Sequence, residues 1–358
     1  MITSIIVNYF NHRLTQKAVE SLLADRTDID IIVVDNSTDA GETQKLHEIL
    51  NRRVQIISST SNLGFGRACN LALEHTQADF IMLLNPDAQV LPGCIEQLTR
   101  ALLTMPELGA VSPMQLWEPT GRWKLPPAWL PTGLGMWCIE YAWRNEANAA
   151  KLSNAYRNLA LRVWHHPQET QVESQRALSG GAMMVRRTAV AQAGGLFDPD
   201  YFMYYEDSDL CWRLKTHGWQ LGMACNAFAL HEWEHNSAKV DFMEQSKHVY
   251  IQKHLTGRGT WEGRIARCSM HAPLEIPLKF RTGSKKHPYI DVPVQWQDSW
   301  LLEISPSPLL IPSIGCIGSG AQAHISDFLI KRLGDSPLYL RIGPTEKTIK
   351  PLPIFRLT

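Results

Sequence analysis

Residues 2–8, 31–35, 54–58 and 80–84 are short runs dominated by Ile, Val, Leu and Met, and amphipathic stretches at about 12–25, 40–51, 66–76 and 92–104 separate and follow them. Apolar runs this short and rich in β-branched residues read as strands buried on both faces. Strands alternating with helices imply an α/β fold with an open, mostly parallel central sheet. In such sheets ligands bind beyond the carboxyl ends of the strands. Three runs end there in polar residues: Asn8-Tyr9, Asp35-Asn36 and Asn85-Pro86-Asp87.

The second constraint lies downstream, where Asp198, Asp200, Glu206, Asp207 and Asp209 are interleaved with aromatic residues. An aromatic setting dries a carboxylate and makes it a useful proton acceptor. Acidic residues in a first helical turn also stabilise the helix through its dipole, so the cluster alone is compatible with a structural role. Glu206, Asp209 and Arg213 have the spacing of an exposed charged stripe, which turns Asp207 toward the packed side with Leu210 and Leu214. An EF-hand fits poorly, because Phe202 and Met203 stand where a ligand and a glycine are needed.

With these segments go Ser4-Ile5-Ile6-Val7-Asn8-Tyr9, Val33-Val34-Asp35-Asn36-Ser37, Asn62-Leu63-Gly64-Phe65-Gly66 with Asn70, Leu84-Asn85-Pro86-Asp87 and Ser179-Gly180-Gly181-Ala182-Met183-Met184-Val185. In their order and spacing, residues 1 to about 255 resemble the inverting family 2 glycosyltransferases of GT-A nucleotide-diphosphosugar fold, most closely the rhamnosyltransferase-type branch.

The resemblance implies roles at matching positions. Asp35 corresponds to the carboxylate that hydrogen-bonds the nucleotide base, with Tyr9 beside the base or ribose. Asn62, Gly64 and Asn70 fall in the loop and helix start that cover the nucleotide, where glycine and a helix N-terminus both suit a diphosphate. Asn85-Pro86-Asp87 occupies the place of the Asp-x-Asp metal motif, with Asn85 replacing the first carboxylate. Asp87 and His231 are then the expected ligands of a divalent cation, Mg2+ or Mn2+, and the histidine suits manganese better. Asp207 matches the catalytic base. Gly180, Gly181, Glu206 and Asp209 fall in the acceptor or active-site loops, and His235, Asn236 and Ser237 are expected near the diphosphate.

These parts meet the needs of sugar transfer. A sugar hydroxyl is a poor nucleophile, so a carboxylate must take its proton as the bond to the anomeric carbon forms. On the opposite face a nucleotide diphosphate leaves with growing negative charge, which a metal or fixed donors must stabilise. The implied enzyme moves one sugar, with L-rhamnose from dTDP-L-rhamnose favoured, to a glycan or lipid-linked acceptor in cell-surface polysaccharide synthesis. Two rivals are a catalytically silent glycan-binding protein, suggested by Asn85, and a sugar-1-phosphate nucleotidyltransferase. The second needs a Gly-rich basic loop after the first strand, and Asn8-Tyr9-Phe10-Asn11 is not one.

Composition narrows the classes further. Lys+Arg and Asp+Glu are equal at 35 each, so no basic field favours nucleic acid. Seven dispersed cysteines without Cys-x-x-Cys imply free thiols and a cytoplasmic setting, with peripheral contact at the inner face of the membrane left open. No apolar run reaches bilayer length and no Gln-x-x-Arg-Trp motif is present, which favours single-sugar addition over processive polymerisation. Trp117, Trp123, Trp129, Trp137 and Trp143 fall in one segment, where core packing competes with an interfacial or acceptor-binding role. After Gly257-Arg258-Gly259, a hinge candidate, short alternating runs broken by prolines read as a small all-β domain. The expected division is a catalytic domain over 1–256 and an accessory domain over 257–358.

Overall fold

The computed structural model describes the chain apart from residues 26–27, 51, 167–169, 233–239, 257–260, 270–279, 284–288, 326–328, 331, 333–336 and 358. Two compact units result. Residues 1–119, 128–130 and 168–254 form the first, and residues 120–127, 131–167 and 255–358 the second. By contacts, residues 120–127 and 131–167 group with the C-terminal region. The hinge candidate at 257–259 and the loop residues 235–237 lie outside the described residues.

The first unit begins β1 (Ile2–Asn8), α1 (His12–Ala24), β2 (Asp30–Asp35), α2 (Ala40–Ile49), β3 (Val54–Ser58), α3 (Gly64–Leu73), β4 (Phe80–Leu84), β5 (Ala88–Val90), α4 (Cys94–Thr104) and β6 (Leu108–Leu116). Helices α5 (Gly133–Ala142) and α6 (Glu146–Trp164) belong to the second unit. The first then resumes with β7 (Val172–Gln175), β8 (Ala182–Arg186), α7 (Arg187–Gln192), α8 (Glu206–Thr216), β9 (Gln220–His231) and α9 (Val240–His254). Its strands run in the order β3-β2-β1-β4-β8-β6-β9-β5, with β7 beside β9. The β3-β2-β1-β4 half is parallel throughout. Beyond it the sheet is mixed, because β8 runs antiparallel to β4 and β6 while β6 and β9 are parallel.

Packing on both faces explains why these runs are mostly apolar. Ile5, Val7, Ile32 and Val34 pack with Ala68, Cys69 and Ala72 of α3 and Leu210 and Leu214 of α8. Their neighbours Ile6, Ile31 and Val33 face the other way, with Ala18, Val19 and Leu22 of α1 and Ile95, Leu98 and Leu102 of α4. Both sheet faces are covered, so the strands are mostly apolar, the interior exceptions being buried Thr3 and Ser4 in β1 and exposed Gln55 in the edge strand β3. Helix α1 buries Thr15, Ala18, Val19 and Leu22, the stripe expected of an amphipathic helix. The side chain of Asp39 caps α2 by accepting the Glu42 N–H at 2.7 Å.

The path from β1 through β2 to β3 moves one way across the sheet, whereas β4 lands on the opposite side of β1. That reversal opens a crevice beyond the strand ends. Asn8, Asp35 and Asn85 stand at this edge.

The second unit joins α5, α6 and α10 (Trp261–Ser269) to strands β10 (Phe280–Gly283), β11 (Tyr289–Asp291), β12 (Trp300–Ser305), β13 (Ile314–Gly318), β14 (Gln322–His324), β15 (Leu338–Pro344) and β16 (Ile354–Leu357). Its main sheet, β10-β16-β15-β12-β13, is antiparallel except between β10 and β16. The small C-terminal β region is as expected, and the unit around it also holds helices. Buried Glu303 accepts from Arg341 at 2.7 and 2.9 Å, and Arg341 also donates to Ser153 Oγ on α6 at 2.9 Å. Arg157 donates to the carbonyls of Pro344 and Glu346, and Asn154 to that of Thr348. These bonds fasten α6 to the sheet.

The tryptophans divide by environment. Trp117 and Trp123 are buried, whereas Trp129 is 37% exposed. Six described cysteines are free thiols, and among the described residues no helix is long and apolar enough to cross a membrane.

Candidate active site

Two consecutive glycines tie the crevice together. The Gly180 N–H donates to Asp207 Oδ2 at 3.0 Å, while the Gly181 carbonyl accepts from the Asn85 N–H at 2.9 Å. The antiparallel register that sets Leu84 against Ala182 brings this turn alongside Asn85. A Cβ on Gly181 would overlap the His231 imidazole. Only glycine lets that ring approach so closely.

His231 ends β9 in register with Ala88 of β5, and the Glu232 N–H donates to the Asp87 carbonyl at 2.9 Å. The imidazole Nε2 consequently lies 3.3 Å from Asp87 Oδ1, and Nδ1 lies 2.8 Å from Gln115 Oε1. An amide oxygen can only accept, so Gln115 fixes the proton on Nδ1 and turns Nε2 toward the carboxylate. A nitrogen and an oxygen at this separation, oriented by an outer partner, fit two ligands of one divalent cation. Among the described residues no third His, Cys, Asp or Glu joins them, so remaining positions would fall to substrate oxygens and water.

Asp207 is half-buried in the first turn of α8, and Ser208 donates to its Oδ1 through N–H at 2.7 Å. Burial pushes the Asp207 carboxyl up, and the Gly180 and Ser208 donors only partly offset this. Glu206 is buried, and its Oε2 has no hydrogen-bond partner among the described residues. Burial first, then the neighbouring Asp207 charge, push it up to about 8. Two carboxyls so close resist double ionisation and titrate as a pair.

Asp209 departs from the sequence expectation. The exposed stripe does not form: Glu206 and Asp209 are both buried. Asp209 Oδ2 accepts from Arg213 Nε at 2.7 Å, and Oδ1 lies 2.8 Å from His254 Nε2. Arg213 in turn donates to the carbonyls of Ala193, Gly195 and Leu196. This carboxylate is committed to bracing the loop and α9.

At the other side of the crevice, Asp35 is buried and accepts from Asn8 Nδ2 at 3.1 Å, the Ser37 N–H at 3.1 Å and Thr43 Oγ1 at 2.5 Å. Tyr9 is 48% exposed at the strand end. The Asn8 amide also reaches buried Glu42 at 3.3 Å, and Glu42 accepts the His12 N–H at 2.9 Å. Burial would raise Glu42, but donors from His12 and Asn8 outweigh it and hold the carboxyl below its usual range. Glu42, His12 and Gln115 escape a sequence reading because each sits inside an ordinary amphipathic or strand pattern.

The covering loop serves two purposes. Asn62 is exposed, and its Oδ1 accepts from Asn36 at 2.9 Å and from the Gly64 N–H at 3.0 Å. Gly64 has φ +76, and a Cβ there would strike the Phe202 carbonyl, which instead accepts the Phe65 N–H at 3.0 Å. Asn70 clasps Phe197 through both backbone groups, at 2.7 and 3.0 Å. Asn70 therefore holds the acidic loop to α3.

A model of the family described as glycosyl transferase family 2 matches residues 4–131. Over 233 residues the chain is 31% identical to N-acetylglucosaminyl-diphospho-decaprenol L-rhamnosyltransferase of two Mycobacterium tuberculosis strains, covering 61% of this chain and 71% of the relative. The chain belongs to glycosyl transferase family 2. It is a glycosyltransferase, and its large, mostly parallel sheet in an α/β architecture is what the sequence resemblance implies. Among solved structures, the glycosyltransferase is similar to the mannosyltransferase PcManGT from Pyrobaculum calidifontis in complex with GDP-Man and Mn2+, at TM-score 0.48 and 12% identity over 75% of this chain and 68% of that one. GalNAc-T7 with UDP, GalNAc and Mn2+ gives TM-score 0.49 and 12% identity over 71% and 48%.

Proposed function

We propose that this glycosyltransferase moves a single L-rhamnose from dTDP-L-rhamnose, with inversion, to a hydroxyl of a glycan or lipid-linked acceptor. The observation that carries the reading is the Gly180-Gly181 turn, which holds the Asp207 carboxylate by one residue and packs against the Asp87–His231 pair by the next. The turn thus joins a proton acceptor to an anion-stabilising site within one crevice. The mycobacterial relative, by its name a rhamnosyltransferase acting on a decaprenol-linked sugar, supports the choice of sugar and acceptor class.

In this reading the base and diphosphate lie beyond Tyr9, Asp35 and the Asn62–Gly64 turn. Asp207 takes the acceptor hydroxyl proton while that oxygen attacks the anomeric carbon, and its raised proton affinity suits the task. Asp87 and His231 would hold Mg2+ or Mn2+, which when bound supplies charge to stabilise the leaving diphosphate. With one carboxylate serving as base and attack coming directly from the acceptor, the product has inverted configuration.

A donor screen with detection of released nucleotide diphosphate tests the proposal, followed by determination of the product's anomeric configuration. Release from dTDP-L-rhamnose in the presence of acceptor, with inversion, is expected. Consumption of a different nucleotide sugar alone would refute the donor, and a retained configuration would refute the single-displacement mechanism.

A further inference from the structure

Two aromatic side chains stand next to each other where β1 ends. Tyr9 is 48% exposed and Phe10 53%, and their rings meet edge to face, with centroids 5.0 Å apart and planes at 78°. A single exposed apolar residue is ordinary on a protein surface. A contiguous pair at the mouth of a crevice is a candidate binding surface.

Phe10 is also strained. Its φ is +52, in the left-handed region that a bulky side chain rarely enters and that glycine adopts freely. A ring half in solvent recovers little of that cost by packing, so folding alone gives no reason for phenylalanine at this turn. Strain of this kind persists where surrounding contacts enforce it, and it collects at functional sites.

Those contacts tie Phe10 to the Asp35 side of the crevice. The Phe10 N–H donates to Ser37 Oγ at 2.8 Å, and Asn8 Nδ2 donates to the same oxygen at 3.3 Å. Ser37 in turn donates its backbone N–H to Asp35 Oδ1 at 3.1 Å. Thr38, the next residue, is itself left-handed at φ +54. Ser37 therefore joins the end of β1 to the end of β2, and the two exposed rings share one rim of the crevice with the buried Asp35 carboxylate.

Ring planes at 78° make a corner, in which a flat ligand can lay its face on one ring and its edge against the other. Every nucleobase has a π-face that stacks on an aromatic side chain. We propose that Phe10 and Tyr9 form an aromatic corner that takes the nucleobase of the donor, and that the left-handed turn at Phe10 is retained for this contact. The assignment rests on the nucleotide-sugar reading above and adds Phe10 to it as a second wall of the base site.

The test measures dTDP binding by calorimetry, with Mn2+ present, for the unaltered protein and for Phe10→Ala, Phe10→Gly and Phe10→Tyr. Loss of one stacking face should weaken dTDP about 10-fold in the alanine and glycine variants, while Phe10→Tyr stays within about 2-fold of the unaltered protein. In Phe10→Ala, KM for dTDP-L-rhamnose should rise about 10-fold with kcat unchanged, the pattern of a contact made equally in ground and transition states. Unchanged dTDP affinity in Phe10→Ala would overturn the proposal, and so would a loss confined to kcat. If the unaltered protein binds UDP or GDP in preference to dTDP, the donor reading fails, and the same comparison with that diphosphate decides the role of Phe10. If it binds no nucleoside diphosphate, the nucleotide-sugar reading and the corner fall together. The strain has its own readout: Phe10→Gly should melt at a higher temperature than Phe10→Ala, although both bind dTDP equally weakly. Equal melting temperatures would overturn the strained-turn half of the proposal.

Discussion

Gly180 donates its backbone N–H to Asp207 Oδ2 at 3.0 Å, across 27 residues of sequence. That bond fixes where the carboxylate points without neutralising it. Because β8 begins two residues later, the sheet itself positions this carboxylate.

The Glu206–Asp207 pair predicts a pH profile. In the proposed mechanism transfer needs Asp207 ionised, so kcat/KM should rise with pH as Asp207 loses its proton. Glu206 takes its charge only above about 8, after Asp207 has ionised, so Glu206→Gln should leave the acid limb in place and change the profile only on the alkaline side. An acid limb moved to lower pH would show that Glu206 is charged while Asp207 titrates. Stability runs the opposite way. A carboxyl raised from 4.5 to about 8 binds its proton more tightly when folded, so its contribution is complete below about 4.5 and is lost as pH rises through about 8. Glu206→Gln should flatten that loss in thermal melts across this range.

If Asp87 and His231 hold a cation as proposed, Gln115 acts on it through His231. Asp87→Ala and His231→Ala should abolish Mn2+-dependent enhancement of nucleoside diphosphate binding. Gln115→Leu leaves both ligands but removes the acceptor on His231 Nδ1, and should weaken that enhancement by about 10-fold. Calorimetry with and without Mn2+ reads both effects. Equal diphosphate affinity in the two conditions for the unaltered protein would instead assign leaving-group stabilisation to protein donors.

In the second unit, Glu303 is fully buried between Arg341 and Arg157. Glu303→Gln leaves both guanidinium groups without their carboxylate and should cost about 3–5 kcal/mol in chemical denaturation. Truncation near residue 258 should also fail to give a stable catalytic fragment, because it strips α6 of the sheet that Ser153, Asn154 and Arg157 bind. A soluble, cooperatively melting truncated chain would contradict that division.

The parallel half of the sheet was legible because strands covered on both faces are mostly apolar, and the crevice was legible because their ends are polar. The Gln115–His231 contact was not. It depends on the pairing of β6 with β9, including an irregularity between Pro113 and Met114, which no local pattern encodes. Asp209 read as exposed because its spacing from Arg213 suits a surface pair, whereas burial comes partly from His254, 45 residues further on. Residues 131–167 read as part of the first domain for the same reason: Ser153 meets Arg341 across 188 residues. Long-range partners decide both cases, and helical periodicity cannot name them.

The most direct measurement is single-turnover transfer by Asp207→Asn, paired with equilibrium binding of the donor. The substitution keeps the side-chain shape and removes the basic carboxylate. Turnover should fall by roughly 10²-fold or more with donor affinity nearly unchanged. Near-normal turnover in the folded variant would contradict the account and take the role of base away from Asp207.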